Sequence, residues 1–265
     1  MTTQKYPNNK LTKVIFQIKF YPLLKLYSNN PEVASDFQQC IIEEFPETKM
    51  TQNRQVSLKI GSTITPVESE TNNLHLIWNF KNENGKNINL TGEELTLTYP
   101  GQVYSTFDDF LNDIEMVIKG LKNYKIPKIK SIGLRYINQI KIDDNSKLNE
   151  YINPKLHLNN HSETGTLIQA ISRIEYSIDE FLLSFQYGQF NPEYPNPNIN
   201  KDFILDYDCI MRNDVAIDSL KNCLTKMNSI IYNKFEESIN DSLRIEMGGN
   251  IHEWNKWLYY SKFSK

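Results

Sequence analysis

The chain has 265 residues, with 29 Lys plus Arg against 32 Asp plus Glu and a formal net charge of −3. At 39% hydrophobic and 12% aromatic it carries too much apolar surface, and too little net charge, for a disordered chain. No stretch approaches the roughly 18 consecutive apolar residues of a membrane helix, and the acidic balance excludes a protein coated in basic charge for nucleic acid. A globular protein of one or two domains is left, with no membrane partner.

Three cysteines, Cys40, Cys209 and Cys223, each sit in an apolar run without CxxC spacing, so packed, reduced thiols are expected. The start MTTQKYPNNK has no apolar core of a signal peptide, and a cytoplasmic location is expected from that.

The first element is LTKVIFQIKF, where Val14, Phe16, Ile18 and Phe20 alternate with Lys13, Ile15, Gln17 and Lys19; this predicts a strand over Leu11 to Phe20. Asn30-Pro31 then opens a helix with Val33, Phe37, Cys40, Ile41 and Phe45 on one face, stopped by Pro46. Between Arg54 and Tyr99 four runs read as strands: RQVSLKI, NLHLIWNF, KNINL and ELTLTY. Asn84-Gly85 marks a hairpin, and Leu74, Leu76, Trp78 and Phe80 share a face.

The period then changes. After Ser105 as cap, Phe107, Phe110, Leu111, Ile114, Val117, Ile118 and Leu121 recur at helical spacing, with acids in the first turn and Lys119 and Lys122 in the last. KIKSIGLRYINQIKI follows as a long strand, then a polar connector with a short helix near Asn149 to Leu156. Strands resume at TLIQAISRIEYSI, EFLLSFQYGQF and KDFILDYDCIM. A second long amphipathic helix carries Ile217, Leu220, Leu224, Met227, Ile231 and Phe235, and SLRIEMGG reads as a final short strand.

The expected fold is α+β, with antiparallel sheets each covered by one long amphipathic helix. Leu134-Arg135 and Leu243-Arg244 follow the two helices at similar distances, so an internal duplication is the preferred account of the two halves, 1–145 and 146–248, with 249–265 as an aromatic tail. Two helices covering antiparallel sheets would also build a core without duplication.

The runs KVIFQIKF, WNFKNENGKNINLTGEELTLTY, SIGLRYINQI and FILDYD resemble a sporadically distributed family of prokaryotic proteins of unknown function. That family's early E-V-I-F-E-I-R-F-like strand appears here with Lys13 and Gln17 at its acidic positions, and its R-x-G-L-R-Y-I-N appears with Lys130 in place of the first Arg. The similarity spans about Leu11 to Gly248. It implies no activity; the family's scattered occurrence implies mobile loci, such as phage defence or toxin–antitoxin pairs.

Several clusters are candidates for function. On a strand, Gly133, Arg135 and Ile137 share one face, and Leu134, Tyr136 and Asn138 the other. Arg135, with Asn138 nearby, presents a fork to a carboxylate or phosphate, or else pairs with an internal carboxylate such as Asp206 or Asp208. Asp206 and Asp208, joined by Glu175, would hold Mg²⁺ in a nuclease or phosphoryl-transfer enzyme, or serve structure alone. His157 and His161, with Glu163 beyond, have the spacing of half a zinc site, on poor helix material. Lys119, Lys122, Lys125, Lys128 and Lys130 form the one basic run, a nucleic-acid candidate or a solvated helix end. The tail carries Trp254, Trp257 and Tyr260, which pack on the chain itself or on a partner. Without a nucleophile elbow, P-loop or dinucleotide motif, no cofactor is implied. The expected function is a non-enzymatic protein-binding or accessory module, acting with a protein partner or by self-association; the alternative is the metal-dependent enzyme.

Overall fold

A computed structural model describes residues 6–54, 74–126, 128–142, 145–158, 164–165, 167–196 and 201–249. Its elements in chain order are β1 (Leu11–Phe20), α1 (Glu32–Ile41), β2 (Glu47–Arg54), β3 (Leu74–Lys81), β4 (Asn87–Leu90), β5 (Glu94–Pro100), α2 (Phe107–Lys122), β6 (Ile129–Ile142), α3 (Asn145–Tyr151), β7 (Ala170–Ile178), β8 (Phe181–Phe190), β9 (Lys201–Met211), α4 (Leu220–Ser238) and α5 (Asp241–Glu246). The strands form one nine-stranded sheet in the order β2-β3-β4-β5-β1-β6-β9-β8-β7, antiparallel at every pairing.

Alternation sorts the side chains of this sheet. On β1, Val14, Phe16, Ile18 and Phe20 are buried, while Lys13 and Lys19 stand exposed on the reverse face. On β6, Ile132, Leu134, Tyr136, Asn138 and Ile140 are buried in the same rhythm. The helices lie on this buried face: Phe37 of α1 meets Phe80 with ring centroids 5.3 Å apart, Phe110 of α2 meets Tyr99 at 4.7 Å, and Phe235 of α4 meets Tyr207 at 6.3 Å. At the start of α2, Thr106 Oγ1 accepts from the Asp109 amide at 3.1 Å, the side-chain cap that a helix N-terminus needs. Gly120 lets α1 approach α2: a Cβ there would lie 2.8 Å from the Phe37 ring. The opposite face carries no helix among the described residues.

The order of elements repeats. β1 leads through α1 to the meander β3-β4-β5 and then α2; β6 leads through α3 to the meander β7-β8-β9 and then α4. In each half the leading strand pairs with the last strand of its own meander, and β1 and β6 pair with each other at the centre. β2 is an additional edge strand of the first half.

Several expectations are corrected. The separate sheets are one, because β1 and β6 pair along most of their length. SLRIEMGG is not a strand: Asp241–Glu246 is helical, with Leu243 and Met247 buried one turn apart and Arg244 held by Glu236. Leu243-Arg244 therefore lies on a helix, unlike Leu134-Arg135 on strand β6. The polar run Glu47–Arg54 forms β2, an exposed edge strand that no apolar alternation announces; most of RQVSLKI lies outside the described residues. The cap of α2 is Thr106, one residue after Ser105. The connector helix is α3, shifted toward the N-terminus, with only a 3-10 turn at Pro154–Leu156. No helix among the described residues is long and apolar enough to cross a membrane.

Candidate functional site: a groove between two helices

α2 and α4 cross the sheet side by side in opposite directions. Lys122 pairs with Asp218 just before α4, and Lys221 pairs with Glu115, at 3.1 Å and 2.7 Å. Beyond these bridges the helices leave a groove of about 490 Å³. Its floor is Tyr136 and Asn138 of β6 and the Tyr207 ring; Phe107, Asp108 and Leu111 form one wall, and Thr225, Asn228, Ser229 and Tyr232 the other. Tyr6, Lys10 and Met247 close one end. The lining on α4 runs from Lys221 to Phe235, about 20 Å at 1.5 Å per residue.

Polar groups run along the floor in a chain. The Tyr104 and Tyr136 hydroxyls are 2.9 Å apart, and Tyr136 donates to Asn228 Oδ1 at 3.0 Å. Asn138 is buried and donates to the Leu205 carbonyl at 3.3 Å. Burial pushes the Tyr104 phenol up to about 12, and those of Tyr136 and Tyr207 well above the usual tyrosine value. These rings keep their protons at neutral pH, so the floor offers neutral donors and acceptors between the Phe107 and Leu111 side chains of α2 and the polar stripe of α4.

The far end is tied down by buried charge. Glu236, at the end of α4, accepts from the Tyr6 hydroxyl at 2.5 Å and from Arg244 Nε at 2.8 Å. Arg244 also donates to the Glu236 carbonyl at 2.5 Å and to Asp241 at 2.8 Å. Lys10 pairs with Glu246 at 2.5 Å, which holds the Glu246 carboxyl below its usual value. Together these contacts fix the N-terminal segment, α4 and α5 around the groove.

Arg135 leaves on the other face, where Nε and Nη2 donate to the two oxygens of Asp206 at 2.8 Å and 2.6 Å. This fork raises the Arg135 pKa, with burial opposing. Asp208 stands opposite Arg135 in the β6–β9 register, and burial raises its carboxyl despite the nearby guanidinium. Glu175 pairs with Arg173 at 2.8 Å and lies two strands away from Asp208, across Ser184, about 10 Å at the usual strand spacing. Among the described residues no three His, Cys, Asp or Glu side chains are grouped to hold a metal.

The remaining candidates scatter. Lys119 is exposed on α2; Lys122 pairs with Asp218; Lys125 sits in a left-handed turn (φ 53°); Lys128 lies 3.8 Å from Asp214; Lys130 covers the Tyr21 ring at 5.4 Å. They do not form one stripe. His157 Nε2 lies 3.1 Å from the Ile152 carbonyl oxygen. His161, Glu163, Trp254, Trp257 and Tyr260 lie outside the described residues. All three cysteines are free, and burial pushes the Cys209 thiol up to about 12. The structure thus brings Asn138 into the groove, which Tyr104, Thr225, Asn228 and Ser229 complete. The α4 residues had a readable signal: Lys221, Thr225, Asn228, Ser229 and Tyr232 make a polar stripe at helical spacing beside the apolar one.

Neither a scan against protein-family models nor a search of curated proteins finds a match to this chain.

Proposed function

We propose that the protein is a non-enzymatic binding module that clasps an extended peptide segment of a partner protein between α2 and α4. The observation that carries this is the groove itself: about 490 Å³, elongated over about 20 Å, the length of some six residues of extended chain. Its neutral polar floor and the polar stripe of α4 suit backbone N–H and C=O groups, and Phe107, Leu111 and Tyr232 suit apolar side chains. We further infer that the two halves descend from one duplicated unit; the repeated order of elements supports this, with β1 and β6 as equivalent strands and the two long helices as equivalent walls. The resemblance to a family found at scattered loci favours a partner encoded close by, as in a defence or toxin–antitoxin locus.

The test is selection from a displayed random-peptide library on the immobilised full chain. Selected peptides should lose at least about tenfold in affinity on Thr225→Trp and Ser229→Trp, exposed groove positions where an indole occupies the space without touching the core. Peptides that bind both variants as well as the parent, or a selection that yields none, would refute the reading.

A further inference from the structure

We propose that the open face of the sheet, on the reverse of the groove, binds the phosphate backbone of single-stranded nucleic acid. A depression of about 650 Å³ there is lined by Lys13, Lys19, Lys130, Arg135 and Arg212, with Asp208 as the one lining carboxylate among the described residues. Counting Asp206 and Glu94, the carboxylates bonded to Arg135 and Lys19, five cations face three acids on a chain whose net charge is −3. The positive charge is therefore concentrated here against the average of the molecule. Lys13 and Arg212 are exposed and make no ion pair among the described residues. The Lys19–Glu94 contact is a half-exposed pair at 3.5 Å, which a stronger anion displaces at little cost.

The shape selects the ligand. Lys13 and Lys19 lie six residues apart on β1, about 20 Å, so the cations line a track longer than one phosphate. Across the track, β5, β1, β6 and β9 span about 14 Å, the width for one strand of nucleic acid. The other described lining residues are Gly133, the polar Gln17, Thr96, Thr98 and Ser131, of which Gln17 and Thr96 donate to Glu94, and the apolar Ile15, Ile132 and Ile210. Among the described residues no aromatic ring lines the depression, and its charges direct recognition to phosphates, tolerant of sequence.

Gly133 is the independent sign. It sits in the middle of central strand β6, between Gln17 and Ile210 in register, at the bottom of the depression. Its φ is not in the left-handed region, and an added Cβ would meet nothing closer than Gln17 Cβ at 3.8 Å. Neither backbone conformation nor packing demands a glycine there, while a strand interior disfavours one. The missing side chain keeps the floor low for a close-approaching backbone.

The experiment is fluorescence anisotropy of a fluorescein-labelled dT20 oligonucleotide with the full chain. Four cations free to meet phosphates (Lys13, Lys19, Lys130 and Arg212) predict a log–log salt slope of about −2.8, or about 50-fold weaker binding at 200 mM than at 50 mM salt. Lys19→Ala and Arg212→Ala should each weaken binding and reduce that slope by about 0.7, whereas Lys119→Ala should leave both unchanged. Gly133→Val should keep the melting temperature and weaken binding at least about tenfold. Absent or salt-insensitive binding at 50 mM salt would overturn the proposal, as would undiminished binding by Gly133→Val. Equal affinity for a duplex, full competition by AMP at micromolar concentration, or equal competition by polyglutamate would each overturn the assignment to a single strand. The peptide-selection test concerns the other face and stands or falls separately.

Discussion

Removing one partner of the Glu236–Arg244 pair is expected to cost more stability than any surface change in the protein. The Glu236 side chain is fully buried and that of Arg244 is 5% exposed, with an Nε to Oε2 distance of 2.8 Å. Among the described residues, the carboxylate in Arg244→Met keeps Tyr6 alone; in Glu236→Met the guanidinium keeps Asp241, whose side chain is 60% exposed, and the carbonyl of residue 236. A buried charge left without its counter-ion costs about 3–5 kcal/mol, a large share of the 5–15 kcal/mol that holds a typical domain folded. At about 2–4 °C per kcal/mol for a chain of this size, Arg244→Met should melt about 6–20 °C lower, and Glu236→Met, whose guanidinium keeps Asp241, should lose less. The double variant removes both charges together and should lose far less than the sum of the two, because apolar replacement of a whole buried pair is often close to neutral. Urea and thermal unfolding followed by circular dichroism measure all four members of the cycle. Single-variant losses below about 1 kcal/mol, or additive losses in the double variant, would show that the pair is not the clamp between α4 and α5.

Three further outcomes are expected. Gly101→Ala should destabilise by at least about 1–3 kcal/mol, since its Cβ would fall 1.7 Å from the Leu11 carbonyl oxygen, whereas Gly133→Ala should be close to neutral; thermal melts compare them. Because burial raises the Asp208 pKa in the folded state, ionising it opposes folding: stability is fully present below the unfolded value of about 3.9 and is lost as pH rises through the folded value. Asp208→Asn should accordingly be more stable than the parent at pH 7, with the difference vanishing below about pH 4, and a difference that grows on acidification would contradict this. Tyr104→Phe should cost about 0.5–1.5 kcal/mol, since Tyr136 keeps its bond to Asn228; urea midpoints measure it.

What was legible in the sequence follows from how strongly one local rhythm dominated. β1 and β6 were readable because each alternates over a long run, and the split of Gly133-Arg135-Ile137 from Leu134-Tyr136-Asn138 follows from that alternation alone. The Arg135–Asp206 fork was one of the two open readings, and the pairing of Ile137 with Asp206 across the sheet makes the reach possible. The merging of the halves into one sheet was not legible, because strand pairing between β1 and β6 is a contact between residues about 120 apart and leaves no local mark. α5 was misread for a different reason. Its sequence has too few residues to show a helical period, and what makes it helical is the burial of Arg244 against Glu236, a tertiary contact. The open-face cations leave no local mark: Lys13 and Lys19 on β1 look like ordinary solvated positions, and only the sheet pairing brings them near Lys130 of β6 and Arg212 just beyond β9.

One strand serves both faces. β6 sends Tyr136 and Asn138 into the groove and Gly133 and Arg135 into the depression on the reverse, separated only by the thickness of the sheet. A register shift of one residue would exchange the two sets, placing a guanidinium beneath α2 and α4 and burying no tyrosine there. The register is held from both sides, by β1 and by β9, and pinned on the open face by the bidentate bond from Arg135 to Asp206. That gives the ion pair a role beyond its own energy: with a half-exposed arginine it adds little stability, yet it selects one alignment of β6 against β9. Arg135→Met leaves the buried Asp206 carboxylate without its fork, so it should lower the melting temperature as well as loosen the central strands. Amide hydrogen exchange along β6 and β9 reads this directly, and protection in Arg135→Met equal to that of the parent would leave the register to the hydrophobic face alone.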